Sequence, residues 1–174
     1  WPSFRGPGAA GIANGEAPPV EWNVESGKNI LWKTAIPGLA HSSPIVWGDR
    51  LFVTTAVPED GSLYYAFREK RVDPQPKDSV AHSWRVLAID KNTGKILWEQ
   101  TAKKSAPRSR RHAKGSQASA TPVTNGKVVV AYFGSEGLYA YDFDGKLLWE
   151  KDLGVLHSGW FFKDDFAYGA ASSP

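Results

Sequence analysis

Two stretches of this chain repeat one another. Val86-Leu87-Ala88-Ile89-Asp90, Lys91-Asn92-Thr93-Gly94-Lys95 and Ile96-Leu97-Trp98-Glu99 run in the same order as Leu138-Tyr139-Ala140-Tyr141-Asp142, Phe143-Asp144-Gly145-Lys146 and Leu147-Leu148-Trp149-Glu150. The last part occurs once more upstream, as Ile30-Leu31-Trp32-Lys33, so the tryptophans Trp32, Trp98 and Trp149 stand 66 and 51 residues apart. A second motif recurs with them. Ser43-Pro44-Ile45-Val46, Thr121-Pro122-Val123 and Ser173-Pro174 place prolines 78 and 52 residues apart. A recurring unit of this length cannot bury its apolar face alone, and it constrains the fold to an array of stacked copies.

The unit itself reads as four short strands. In the second copy they are residues 120–123, 128–133, 138–142 and 147–151, separated by Asn125-Gly126, Gly134–Gly137 and Asp144-Gly145. Valine, tyrosine and phenylalanine suit a pleated, half-buried surface, and Asn-Gly and Asp-Gly suit tight hairpin turns. Four antiparallel strands in chain order, here A to D, form a meander. Meanders recurring every 40 to 50 residues or so indicate a β-propeller. The expected fold is therefore all-β, a propeller of four-stranded antiparallel blades. Residues 1–28 read as an N-terminal arm with Trp1, Phe4 and Trp22 as anchors. Residues 29–174 carry the blades: 29–34 as an outer strand that closes the last blade, 41–101 as a first blade with an insertion at 57–84, 118–151 as a second, and 171–174 as the opening of a third. Propellers close with about four to eight blades. Two blades leave open edges, so the chain is expected to be the N-terminal part of a longer protein, marginal or self-associating in isolation.

Strand direction sorts the links between strands. The A–B and C–D turns fall at one end of a blade, and the B–C and D–A links fall at the other. Every A–B and C–D turn here is short, whereas residues 57–84, 102–118 and 152–170 are long links of the opposite end. Long loops on one rim of a rigid scaffold are where binding residues collect. That rim is the expected functional face.

Charge points the same way. Net charge is +3, but residues 103–114 hold six basic side chains (Lys103, Lys104, Arg108, Arg110, Arg111 and Lys114) and no acidic one, which leaves 3 − 6 = −3 for the rest. The basicity is local. Arg108, Arg110, Arg111, His112 and Lys114 suit oxyanion contacts with an anionic polymer or an envelope surface, or form a solvated loop cluster. No aromatic side chain is interleaved among them for base stacking, and no specific nucleic acid is expected. The four histidines, His41, His82, His112 and His157, all fall in B–C or D–A links without metal-like spacing, so no metal site is assigned. Trp160-Phe161-Phe162 with Asp164-Asp165 is a ligand platform or a loop anchored by its own rings. Gly134-Ser135-Glu136-Gly137 is a turn and matches no nucleotide fingerprint. No apolar run approaches the roughly 20 residues of a membrane-spanning helix. With no cysteine in the sequence there is neither a disulfide nor a thiolate metal site.

The pattern S-P-h-h … h-h-A-h-D-x-x-T-G-K-h-h-W, densest over residues 88–98, resembles the PQQ-like (pyrroloquinoline-quinone-like) repeat. That family is similar to the quinoprotein alcohol dehydrogenases and to the outer-membrane assembly lipoprotein BamB. The opening Trp1-Pro2-Ser3-Phe4-Arg5-Gly6-Pro7, together with His41-Ser42-Ser43-Pro44, looks like an exported bacterial subgroup. The resemblance implies a parent of about seven or eight blades and a periplasmic or extracellular location. It implies a structural role for Trp32, Trp98 and Trp149, packed between neighbouring blades. Asp90 and Asp142 read as turn-closing carboxylates, and Pro44, Pro122 and Pro174 as repeat markers. For function, the expectation is a non-catalytic binding or assembly scaffold with a protein or polymer partner at the long-loop rim and no cofactor. The alternative is a dehydrogenase oxidising an alcohol or aldose with PQQ and Ca²⁺. The family's enzymes often hold adjacent cysteines against the cofactor, and this sequence has none.

Overall fold

Both repeated units fold into the same object. The computed structural model describes residues 1–15, 18–62, 79–112, 114–159 and 169–174. The first unit is a sheet of β1 (Ile45–Trp47), β2 (Arg50–Pro58), β3 (His82–Asp90) and β4 (Ile96–Ser105). The second is a sheet of β5 (Val123–Thr124), β6 (Val128–Tyr132), β7 (Leu138–Asp142) and β8 (Leu147–Lys151). Each is antiparallel in chain order, β1-β2-β3-β4 and β5-β6-β7-β8. The fold is all-β, two four-stranded blades side by side.

The C–D turns show why the motif is what it is. In the first blade the Asp90 carboxylate accepts the backbone N–H groups of Asn92 and Thr93 and the Thr93 hydroxyl, at 2.9, 2.8 and 3.0 Å. These bonds hold its pKa below the ordinary carboxylate value. In the second blade Asp142 accepts N–H groups from Asp144 and Lys146 at 3.0 and 2.9 Å. The glycine that follows takes positive φ in both, 72° at Gly94 and 86° at Gly145, a region that side chains with a Cβ avoid. Each C–D pair also carries a register shift, between Ala88 and Ile89 and between Ala140 and Tyr141. The bulge is thus part of the repeated unit.

Boundaries depart from the sequence reading in several places. β2 runs on to Pro58 and β3 starts at His82, so the link read at 57–84 is strand at both ends. β5 holds only Val123 and Thr124, because Pro122 offers no N–H to a ladder and Thr121 spends its hydroxyl on the first blade. β4 runs on to Ser105, so Lys103 and Lys104 belong to a strand and not to the following link. Residues 30–34 lie in no sheet. What fixes them is side-chain docking: Trp32 Nε1 donates to Lys91 O at 2.7 Å and Thr34 Oγ1 to Gly94 O at 2.5 Å.

The core lies between the two sheets. Trp84, Val86 and Ala56 of the first blade pack with Ala131, Phe133, Tyr139 and Tyr141 of the second. Ile45, Phe52 and Ala88 pack with Val129. Trp98 and Phe143 border this second group, with Phe52 to Phe143 at 5.1 Å in an edge-on pair and Trp98 to Tyr141 at 6.1 Å. Such aromatic pairs contribute beyond their buried area. Polar bonds cross the same seam: Ser43 N to Thr121 Oγ1 at 3.0 Å, and His41 N and Ser42 N to Ala118 O at 3.1 and 3.2 Å. The arm adds a backbone clasp. Val46 N donates to Trp1 O at 2.8 Å and Thr124 N to Pro2 O at 2.9 Å, joining the two innermost strands. Trp1, Phe4 and Trp22 are 41%, 52% and 67% exposed, so the arm is held by its backbone and not by those rings.

Candidate functional site

The two ends of the blades differ in kind. At one end lie the A–B and C–D turns, tied to each other. Lys91 N donates to Asp49 O at 2.8 Å, Asn92 Nδ2 to Asp49 Oδ1 at 3.2 Å, and Arg50 donates to Phe143 O and pairs with Asp144 at 3.1 Å. At this end the geometry of the tryptophans repeats within the chain. Trp32 stands over Gly94 and donates to Lys91 O. Trp98 stands over Gly145 and donates through Nε1 to Phe143 O at 2.8 Å. Lys91 and Phe143 occupy the same place, one residue after the turn aspartate. Each tryptophan therefore docks on the C–D turn of the following blade. Trp149, at the third such position, is 46% exposed, with Leu147 and Leu148 beside it at 45% and 46%. Pro44 and Pro122 immediately precede β1 and β5, and Pro174 is exposed outside any strand.

The opposite end carries the long links. Residues 63–78 and 160–168 lie outside the described residues, and with them Trp160 and its aromatic-acidic neighbours. Among the rest, the link after β4 is organised by a carboxylate that sequence reasoning passed over. Glu136 sits in the short 3-10 turn Gly134–Glu136 and is only 2% exposed. It accepts Arg108 N at 2.7 Å and the Ser105 hydroxyl at 3.4 Å, and Lys103 Nζ stands 3.4 Å away. The Arg108 guanidinium then forks onto Asp152, at 3.0 and 2.7 Å. That fork, and after it the bond from Gly154 N, holds the Asp152 pKa below its usual value, and the pairing raises that of Arg108. Lys104 pairs with Glu59 at 2.5 Å. Three of the six basic residues of 103–114 are thus spent on carboxylates of other links. The only sequence hint was the Glu inside a Gly-x-x-Gly turn. Above this strap, Tyr139 donates its hydroxyl to Glu136 O at 2.9 Å. Burial, with Glu150 and Glu136 nearby, pushes its pKa up to about 12.

The other site candidates separate into two groups. His112 Nδ1 accepts Lys114 N at 3.1 Å, closing its own loop, and makes a further contact, while His157 is exposed. Arg110 and Lys114 are exposed, and both make contacts. His82 and Arg111 converge instead. Arg111 is 5% exposed and His82 7% exposed. Arg111 donates through Nη1 to Gly115 O at 2.7 Å, and His82 bonds Val80 O through Nδ1 at 2.7 Å. Both line a small cleft of about 20 Å³ with Gln117 and Ser62, against Leu39 and Ala56. His41 lies within the field of Arg111; burial first, then that charge, lowers its pKa from 6.5. Among the described residues no cluster of three or more His, Cys, Asp or Glu could hold a metal ion.

Repeated blades, tryptophans docked on Asp-to-Gly turns and carboxylates that close those turns make one pattern. A family model described as outer membrane protein assembly factor BamB, of the PQQ-like repeat, matches residues 82–170. The chain belongs to this family. The matched span begins at the first residue of β3 and takes in the whole second blade, so it covers both Trp98 and Trp149 and both turn aspartates. No curated protein matches the chain closely. No described helix of this PQQ-like propeller segment is long and apolar enough to cross a membrane.

Proposed function

We propose that this chain is part of a non-catalytic propeller outside the cytoplasm that binds a protein partner through its long-link face. The observation that carries the reading is the asymmetry of the two ends. At the turn end, Asp90, Asp142, Asn125 and the docked tryptophans are all engaged in closing turns and joining blades. The opposite end has long links and brings His82 and Arg111 together in the lining of a small cleft. Loops held by a rigid scaffold are suited to recognition. The family's description as an assembly factor supports a protein as the partner and the cell envelope as the place.

Two other readings are less well supported. A Ca²⁺–PQQ site needs a group of oxygen ligands and a plane for the quinone. Four described carboxylates, Glu136, Asp152, Asp90 and Asp142, are engaged in ion pairs and turns, which supports the scaffold reading over the cofactor one. A polyanion site on residues 103–114 would draw on Lys103, Lys104 and Arg108, which pair with Glu136, Glu59 and Asp152. The test is a titration of PQQ with Ca²⁺ into the protein, followed by dye-linked alcohol oxidation. The proposal expects no saturable binding and no turnover. Saturable binding with turnover would replace it with a dehydrogenase.

A further inference from the structure

We propose that the exposed strand β8 is a docking surface for a second copy of this chain. Its Trp149 seats on the Asp90–Gly94 turn of that copy, in the place that Trp32 holds within one chain. The contact is independent of the long-link face and of any partner bound there.

Both halves of this contact, and a template for it, lie within the chain. The template is the seam between the blades. Trp98 stands on β4 opposite Ala88 and covers the turn of the second blade: a Cβ on Gly145 would lie 2.8 Å from its ring, and its Nε1 donates to Phe143 O at 2.8 Å. Trp149 holds the same position on β8, opposite Ala140. The register around it repeats. Val130 lies opposite Ala140 as Phe52 lies opposite Ala88, and Tyr132 opposite Leu138 as Thr54 opposite Val86. Phe52 and Val86 are wholly buried in the seam, whereas Val130, Tyr132 and Leu138 are partly exposed and Leu147, Leu148 and Trp149 nearly half exposed. Large apolar side chains gathered on one strand, unlike scattered ones, mark a contact surface. The other half is the Gly94 turn. It is built like the turn at Gly145, with a glycine at positive φ and a carbonyl one residue after the aspartate that accepts an indole N–H. Leu87 and Ile89 are buried behind it, in the places of Tyr139 and Tyr141. Its occupant is held differently from Trp98. Trp98 stands on a strand paired to β3, but residues 30–34 belong to no sheet, and Trp32 and Thr34 reach the turn through side-chain bonds alone, at 2.7 and 2.5 Å. A tethered occupant competes at an effective concentration on the order of millimolar, so Trp32 holds the turn in dilute solution and Trp149 of another copy takes it when copies are concentrated. The contact between copies is also weaker than the seam, because Arg50, which pairs with Asp144, is matched on β6 by Val128. Donor strand and acceptor turn belong to different blades, so the copies add head to tail.

The test is sedimentation of the whole chain from about 1 μM to about 1 mM, with far-UV circular dichroism of each variant as the check on folding. The native chain is expected to associate only towards the upper end. Trp32→Ala frees the turn and lowers the midpoint concentration at least about tenfold. Trp149→Ala abolishes association in either background. A complementary pair fixes the geometry. Trp32→Ala with Trp149→Ala offers only the turn. Trp32→Ala with Gly94→Ala offers only Trp149, since a Cβ at Gly94 lies where an indole must sit, 2.6 Å from the Trp32 ring. Each double variant alone stays monomeric, and their mixture gives a 1:1 dimer and nothing larger. Should Trp32→Ala not fold, Thr34→Val takes its place in both, losing only the bond to Gly94 O, with a smaller shift in the same direction. A chain that stays monomeric to about 1 mM with the turn freed would overturn the proposal. So would association that survives Trp149→Ala, which would make the strand a non-specific apolar contact, or a complementary pair that forms no dimer.

Discussion

Gly145→Ala tests the joint between the blades. Gly145 has φ of 86°, and a Cβ added there would stand 2.8 Å from Trp98 Cδ2 and 2.9 Å from Cγ. The substitution therefore carries two costs. An L-residue in the left-handed region costs roughly 1–2 kcal/mol. Forcing a methyl group into a packed ring costs about another 1–3 kcal/mol, since the indole must lift and weaken its 2.8 Å bond to Phe143 O. Gly48→Ala is the control. Gly48 has φ of 58°, in a turn at the same end of the first blade, and a Cβ there would meet nothing within 4 Å. It carries the backbone cost alone. Urea unfolding followed by far-UV circular dichroism should show Gly145→Ala less stable than Gly48→Ala by roughly 1–3 kcal/mol. Adding Trp98→Ala to Gly145→Ala should remove the difference, because the methyl then has room; the coupling in that cycle is the quantity of interest. Equal losses for the two glycine variants, or no coupling to Trp98, would refute the docking geometry.

Further outcomes follow from the same contacts. Trp98→Phe removes the indole N–H and part of a packed ring and should cost about 1–2 kcal/mol, whereas Trp149→Phe in this 174-residue chain should cost well under that, since Trp149 is 46% exposed; comparable losses in denaturant melts would contradict the placement. Glu136→Gln leaves Lys103 and Arg108 facing an uncharged amide and should cost about 1–3 kcal/mol, a loss that Arg108→Lys reproduces only in part, read by thermal melts at fixed pH. Tyr139 and Tyr141 both have pKa values pushed up to about 12, by burial first. An unfolded tyrosine releases its proton near 10, so this contribution is complete below about pH 10 and is lost as pH rises towards 12. Absorbance at the tyrosinate band should show two late-titrating rings together with unfolding; ordinary titration of all the tyrosines while the fold persists would count against their burial.

The sequence displayed the blades because their defining features are local. An aspartate, a positive-φ glycine and a tryptophan a few residues on are spaced along one strand-turn-strand segment, so Asp90 to Trp98 and Asp142 to Trp149 can be read without a third dimension. The short β5 was less legible, since Thr121 had to be seen bonding Ser43, 78 residues away, before its absence from the ladder made sense. The strap was hidden for the same reason. Counting charge along 103–114 gave a basic loop, but Glu59, Glu136 and Asp152 come from three other segments and neutralise half of it. His82 and Arg111 stand far apart in sequence, and only the folded chain, with β3 starting at His82, brings both into the lining of one cleft.

The measurement that tests the central claim most directly compares the two ends of the blades in cells. A photo-reactive amino acid is placed at Ser62 or Arg110, exposed at the long-link end, and separately at Asn125 or Asp144, exposed at the turn end. The account predicts that illumination joins a discrete protein partner to the first pair and not to the second. Adducts at Asn125 and Asp144 alone, or equally at all four positions, would contradict a binding face built from the long links.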